Sequence, residues 1–201
     1  MESPAYQELT RFANKYSRAT LLMRAAAHDY AAARCLLFNG MFEGLSLGAQ
    51  AIEKCLKAYL IFSDPNREVM KAFRHSLPRL LAEADALFPG LSLSKFAPLV
   101  ERFWTHYESR YPDNSNASKN KTTADVRELD ELVIFLNESM PCPHNVKYQA
   151  GIYPIITFSL QYEGTVTQWE SWIKHDNHAL APLISRINAE YVEVIKELHS
   201  A

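Results

Sequence analysis

Glycine is scarce in this chain, and its scarcity excludes one class of binding site. Six glycines occur among 201 residues. That is well below the usual share of about 7%. None of them forms a GxGxxG, GxxxxGKS or GxxxxGKT motif. A glycine-rich cradle for phosphates, of the dinucleotide-binding or P-loop kind, is therefore excluded.

Cysteines and long apolar runs are also few. Cys35, Cys55 and Cys142 are an odd and sparse set, so we expect no disulfide framework and a reduced, cytoplasmic protein. No apolar run approaches the roughly 18 residues that a transmembrane helix needs. The first residues, MESPAYQELTRF, lack a basic start followed by an apolar stretch, so we expect no secretory signal.

The composition is that of an ordinary globular domain, with 48% hydrophobic and 22% charged residues. The net charge is −2, and the charged residues are unevenly distributed along the chain. Residues 1–123 carry an excess of Lys and Arg, whereas residues 124–201 carry an excess of Asp and Glu. A mildly basic first part favours a phosphate-bearing partner, although an excess this small is also compatible with scatter.

Helical periodicity dominates the chain and predicts an all-α fold. The predicted helices are 4–17, 20–38, 41–63, 77–87, 92–109, 124–139 and 179–199. Ser76 is expected to cap the fourth of these, and residues 111–123 should form a polar loop. Residues 146–162 are rich in β-branched and aromatic side chains. They predict a short irregular or β-like segment, although Pro154 argues against a central strand.

Gly40, Gly44 and Gly48 lie four residues apart, the first just before the predicted helix 41–63 and the other two inside it. An interior glycine weakens a helix by about 1 kcal/mol, so its presence needs a reason. The spacing predicts close approach of a second helix backbone at this ridge. That helix belongs either to the same chain or to a second copy.

Several short motifs occur in a fixed order along residues 20–140. They are Asp29-Tyr30, Asn39-Gly40, QAIEKCLKA at 50–58, His75-Ser76-Leu77 and Arg110-Tyr111-Pro112-Asp113. In this order they resemble the HEPN domain, named for higher eukaryotes and prokaryotes nucleotide-binding. The resemblance implies an up-and-down bundle of four or five helices. It divides the chain into an N-terminal helix (1–19), the bundle (20–140) and a C-terminal extension (141–201). We expect the extension to pack on the bundle and to end in a helix.

The same resemblance implies partners and activities. HEPN proteins commonly form homodimers, and many pair with a nucleotidyltransferase-like protein in toxin–antitoxin systems. Others are metal-independent RNases with an Arg followed, after four to six residues, by a His. This chain departs from that pattern, because Ser115, Asn116 and Ala117 occupy the positions after Arg110 where the His should stand. The pairs Arg24…His28 and Arg102…His106 have only three intervening residues.

We therefore expect a non-catalytic module that binds a nucleotide or a nucleotidyltransferase-like protein, acts as a homodimer and has no membrane association. A toxin-type RNase and a purely structural homodimerisation domain remain alternatives. Whether it is an enzyme stays open, with the absent motif arguing against it. Binding of RNA is also left open.

Five residues are candidates for the ligand site: Lys54, Lys57, His75, Arg110 and Tyr111. Lys54 and Lys57 are three apart and share a helix face, from which their ammonium groups would reach phosphate oxygens. His75 changes charge near neutral pH. Arg110 suits bidentate phosphate contact and Tyr111 suits stacking on a base. For each residue a structural role is the alternative: an exposed ion pair between Glu53 and Lys57, a cap or buried hydrogen bond for His75, and packing for Arg110 and Tyr111.

Metal ligands are too dispersed to predict a metal site. Cys142, His144, His175 and His178 are the only grouping of suitable types, and no Cys-x-x-Cys pair supports it. We expect no metal, no cofactor and no catalytic cysteine.

Overall fold

The computed structural model describes residues 15–108, 123–142, 147, 150–157 and 167–187. The helices of the first part are α1 (Ser17–Phe38), α2 (Glu43–Ser63), α3 (Val69–Phe73), α4 (Leu77–Leu87) and α5 (Ala97–Glu108). They are followed by α6 (Thr123–Glu138), α7 (Tyr153–Ile156), α8 (Gln168–Lys174) and α9 (181–187). Two short 3-10 helices, Pro89–Leu91 and Leu93–Phe96, connect α4 to α5. The fold is all-α, as the sequence predicts.

Most helix ends lie within a few residues of the positions that the sequence predicts. Ser76 occupies the N-cap position of α4 and Pro78 lies in its first turn, but the Ser76 side chain makes no capping hydrogen bond. Within the segment 146–162, residues 153–156 form helix α7 with Pro154 in its first turn, so this described part is helical rather than β-like. No strand occurs in the part of the chain that the structure describes. The predicted helix 4–17 and the end of 179–199 lie outside the described residues.

Helix α2 is the centre of the bundle. It pairs with α1 along most of its length and also packs against α4, α5 and α6. Residues on every side of it are buried, including Leu45, Ala51, Ile52 and Leu56. A helix surrounded in this way buries some of its polar side chains, and on α2 these include Glu53 and Lys57.

The glycines of α2 lie against other helices of the same chain. A Cβ on Gly44 would lie 2.8 Å from the main-chain oxygen of Ala33 on α1. A Cβ on Gly48 would collide with the ring of Phe103 on α5. Gly40 has φ +74° and open space around it, so it serves the turn between α1 and α2. The two interior glycines therefore admit neighbouring helices of the same chain, and they give no support to a second copy.

A buried guanidinium joins the bundle to the C-terminal region. Arg34 on α1 is fully buried and its guanidinium forms an ion pair with Asp130 on α6. It also donates to the main-chain oxygens of Trp172, at 2.9 Å, and His175. Such a charge is tolerated in a protein interior only when it is paired and hydrogen-bonded.

Tyr30 extends the same network. Its hydroxyl donates to Asp130 at 2.7 Å and accepts from the Asn177 side chain at 2.8 Å. Burial is the main cause that raises the pKa of Asp130 above its usual value, with Arg34 and Tyr30 opposing it. Burial and the Asp130 charge raise the pKa of Tyr30 well above its usual range.

A second junction lies at the end of α6. The Asn137 side chain accepts from the main-chain N–H of Ile152 at 3.1 Å. Gly151, with φ +63°, approaches Asn137 so closely that a Cβ would collide with its side chain. Glu138 binds Tyr153 and Arg186 through its two carboxylate oxygens. Residues 150–157 and 167–187 are thereby held against α1 and α6.

Candidate functional site around Glu53, Lys57 and His75

Glu53 and Lys57 form a buried ion pair on α2. Their side chains are 10% and 1% exposed, and Lys57 Nζ lies 2.5 Å from Glu53 Oε1. Lys57 also donates to the main-chain oxygen of Arg74 at 2.6 Å. The sequence alternative of an exposed pair is wrong, because α2 is buried on the side that faces the segment between α3 and α4.

His75 completes the cluster from that segment. Its Nδ1 lies 3.2 Å from both Oε1 and Oε2 of Glu53, while 60% of its side chain is exposed. A carboxylate only accepts, so Nδ1 carries the hydrogen of this contact. The Nε2 atom is thereby left for other partners. The contact is a partly exposed hydrogen bond rather than the buried one considered from sequence.

The backbone before His75 has an unusual conformation. Arg74 has φ 49° and ψ −107°, a region that non-glycine residues rarely occupy. In this conformation the Arg74 carbonyl meets the Lys57 ammonium and His75 meets Glu53. Strained backbone of this kind persists where surrounding contacts hold it in place. At Arg74 the two polar contacts provide that hold.

Two aromatic side chains of α5 lie beside His75. The Tyr107 ring centroid is 5.9 Å from that of His75, at an interplanar angle of 39°. Trp104 stacks on Tyr107 with centroids 5.9 Å apart and planes inclined by 19°. Tyr107 is buried and Trp104 is half-buried. The imidazole therefore lies at the edge of an aromatic cluster that has a partly exposed face.

The Lys54 side chain does not join the cluster of Glu53, Lys57 and His75. Its ammonium pairs with Asp29 on α1, with the two side chains 27% and 19% exposed. Three-residue spacing predicts a shared face for Lys54 and Lys57, but the structure directs one ammonium toward α1 and the other toward Arg74. Of the predicted residues, the structure brings Lys57 and His75 together through Glu53. Arg110 and Tyr111 lie outside the described residues.

The two Arg…His pairs with short spacing have other contacts. Arg102 Nε lies 3.7 Å from Asp125, and its Nη2 binds Glu128. His106 is half-buried one turn further along α5. His28 contacts the ring of Trp169 edge-on, with centroids 5.3 Å apart.

The dispersed metal-ligand types also have defined surroundings. His175 contacts Phe38 edge-on, and His178 Nε2 lies 3.1 Å from Asp176 Oδ1. His144 lies outside the described residues. Within those residues no three His, Cys, Asp or Glu side chains gather in a way that would hold a metal ion. All three cysteines are unpaired, and burial raises the pKa of Cys55 and of Cys142 to about 12.

Sequence reasoning missed Glu53 and Trp104 as parts of this site. Glu53 was assigned only to a surface ion pair. The apolar residues that flank it on both sides, in the run AIEKCLKAYLIF, were a signal that it is buried. Trp104 lies three residues before Tyr107, which is the spacing of ring contacts on one helix face.

The described residues include no helix that is both long enough and apolar enough to cross a membrane. No curated protein and no solved structure matches the chain. A family model does: the HEPN domain model matches residues 19–138, which is more than half of the chain. HEPN domains are nucleotide-binding or RNA-cleaving modules, and they often dimerise. With its all-α bundle and its ordered motifs, the chain belongs to the HEPN domain family.

Proposed function

We propose that this chain is a non-catalytic HEPN module that binds a phosphate-bearing ligand, in the first place a nucleotide, through His75. The observation that carries the proposal is the contact between Glu53 and His75. It holds the imidazole through Nδ1, while 60% of the side chain is exposed. An imidazole N–H can donate a hydrogen bond to a phosphate oxygen.

The other candidate residues take different parts in this proposal. Lys57 supports His75 through Glu53, because its ammonium is already satisfied by Glu53 and Arg74. Lys54 adds positive charge from the neighbouring face of α2. Arg110 and Tyr111 follow Tyr107 by three and four residues in the sequence, and we propose them as further contacts to phosphate and base.

The absence of catalysis is supported by two features. Positions 115–117 provide no histidine after Arg110, and metal-free cleavage of RNA needs a group to take the proton from the 2′-hydroxyl. The substitute pair on α5 is compromised, because the Arg102 guanidinium is engaged by Asp125 and Glu128. We also propose a cytoplasmic location, in keeping with the three unpaired cysteines.

Calorimetric titration with ATP, AMP and inorganic phosphate tests the binding half. Loss of one charged contact to phosphate should weaken binding by about 10- to 150-fold, so His75→Gln should show a loss in that range. His178→Gln is the matched control, since it removes an exposed histidine outside the cluster. If no nucleotide binds at millimolar concentration, the proposal is wrong, and a nucleotidyltransferase-like protein partner or a structural role replaces it.

Incubation with labelled RNA in EDTA tests the non-catalytic half. We expect no cleavage above that of a buffer control. Cleavage that disappears in Arg102→Ala or His106→Ala would instead establish an RNase.

Light scattering tests the proposed homodimer, which should have twice the 22.9 kDa mass of the chain. A monomer mass at micromolar concentration contradicts it.

A further inference from the structure

A cavity lies between α4 and α5, and its lining includes none of the residues of the cluster around His75. Its volume is about 340 Å³, and its apolar lining includes Leu81 and Val100, which are buried. The cavity is open to solvent on the side lined by the exposed small side chains Ala82, Ala86 and Ala97. Ligand pockets start at about 300 Å³, so this one suits a molecule of roughly one ring with a short side chain.

Two carboxylates line the same cavity. They are Asp85 on α4 and Glu101 on α5. Asp85 Oδ1 accepts a hydrogen bond from the main-chain N–H of Ser94 at 3.1 Å. Within the described part of the chain, neither carboxylate has an ion-pair partner. The negative charge at the cavity is therefore not compensated by a cation on the elements that form it.

The neighbouring cations are engaged elsewhere. Lys95 lies over the Phe135 ring, 4.0 Å from its centroid. Arg79 lies over the Phe73 ring, 5.7 Å from its centroid. Arg102 pairs with acidic residues of α6. Each of them would have to give up an existing contact in order to neutralise the cavity.

We propose that this cavity binds a small organic cation, an ammonium group attached to a hydrocarbon or aromatic body. The apolar body would displace water from the alanine and leucine lining. The ammonium would lie at the carboxylates, where opposite charge is attracted and where an anionic ligand would be repelled. The proposal is independent of nucleotide binding, since it shares no residue with the cluster of Glu53, Lys57 and His75.

Titration with phenethylamine, followed in ¹H–¹⁵N spectra of the full chain, tests the proposal. From ligand efficiency we expect a dissociation constant of about 0.1–1 mM, with shifts concentrated in α4 and α5. Two comparison ligands separate the contributions of shape and charge. 2-Phenylethanol, which lacks the charge, should bind more weakly, and 3-phenylpropionate, which reverses it, should not bind.

Three variants locate the site. Asp85→Asn and Glu101→Gln should each weaken phenethylamine binding about two- to fivefold, the range for partly exposed charge pairs. Ala86→Leu should abolish binding by filling the cavity, and because Ala86 is exposed the melting temperature should stay close to that of the parent. Glu68→Gln is the matched control, as Glu68 is exposed and pairs with Lys71 outside the cavity.

Three results overturn the proposal. The first is the absence of saturable shifts at 10 mM phenethylamine, about ten times the weakest expected dissociation constant. The second is equal binding of phenethylamine and 2-phenylethanol. The third is binding that survives Ala86→Leu in a folded protein, which would place the amine elsewhere.

Discussion

Arg34 and Asp130 are 96 positions apart in the sequence and form an ion pair in which both side chains are almost fully buried. Two further hydrogen bonds run from Arg34 to main-chain oxygens of the C-terminal region. The pair therefore connects three parts of the chain, α1, α6 and the segment that includes α8. Its stability contribution depends on both partners being present.

Replacing Arg34 by methionine should destabilise the protein strongly. Removal of one partner of a buried ion pair typically costs about 3–5 kcal/mol, because the other charge remains buried without compensation. Urea unfolding should show this loss in the free energy of unfolding. The double variant Arg34→Met with Asp130→Leu should recover part of it. A double variant no more stable than the single one would contradict this account.

Gly44→Ala should open the contact between α1 and α2. The new methyl group would lie 2.8 Å from the main-chain oxygen of Ala33, which cannot turn aside as a side chain can. Overpacking of this kind lowers the free energy of unfolding by about 1–3 kcal/mol. Gly90→Ala is the matched control, since nothing lies within 4 Å of its Cβ position. Equal melting temperatures for the two variants would refute the close-approach role.

Lys57→Met and Lys54→Met should differ in their effect on stability. Lys57 is 1% exposed, so its loss leaves Glu53 buried with only His75 beside it, and we expect a cost of about 3–5 kcal/mol. Lys54 is 27% exposed, and its pair should be worth about 1 kcal/mol or less. Thermal melts of the two variants measure the difference. Similar losses would mean that Lys57 is not buried in solution.

Cys55 and Cys142 should resist alkylation in the folded protein. With a pKa of about 12, a thiol is ionised at pH 8 to only about one part in ten thousand, and the thiolate is the nucleophile. Iodoacetamide followed by mass spectrometry should therefore modify Cys35 first, and all three cysteines in urea. Rapid native labelling of Cys55 would contradict its burial.

The raised pKa values of Cys55 and Cys142 also predict that the free energy of unfolding falls at high pH. The unfolded chain ionises its thiols from about pH 8.5, whereas the folded chain holds these two protons up to about pH 12. Their contribution is complete below pH 8.5 and is lost as the pH rises toward 12. In Cys55→Ala this part of the alkaline decline in the free energy of unfolding should be smaller.

The helices that the sequence predicts best are those with clear start and stop residues. Helix α4 runs over Leu77–Leu87, as predicted, because Pro78 marks its first turn and Phe88-Pro89-Gly90 ends it. Helix α7 was missed because Ile155, Ile156 and their aromatic neighbours favour extended backbone. Tertiary contacts from Asn137 and Glu138 override that local preference.

The polar interior was much harder to predict. Lys57 belongs to an i,i+4 pair, and such pairs usually lie on a helix surface. The sequence shows nothing unusual about Arg34 because two of its partners are main-chain oxygens, which have no residue identity. His75 was identified from the resembled motif, whereas its geometry depends on Arg74 adopting a positive φ that no residue type announces.

The hydrogen bonds of Arg34 also have a consequence for synthesis on the ribosome. The carbonyls of Trp172 and His175 are made 138 and 141 residues after Arg34. Chains emerge from their N-terminus, and domains begin to fold in that order. A nascent chain that has exposed only α1 to α6 therefore carries an Arg34 whose hydrogen bonds are incomplete. The hydrogen bonds of Arg34 can be complete only after Trp172 and His175 have left the ribosome.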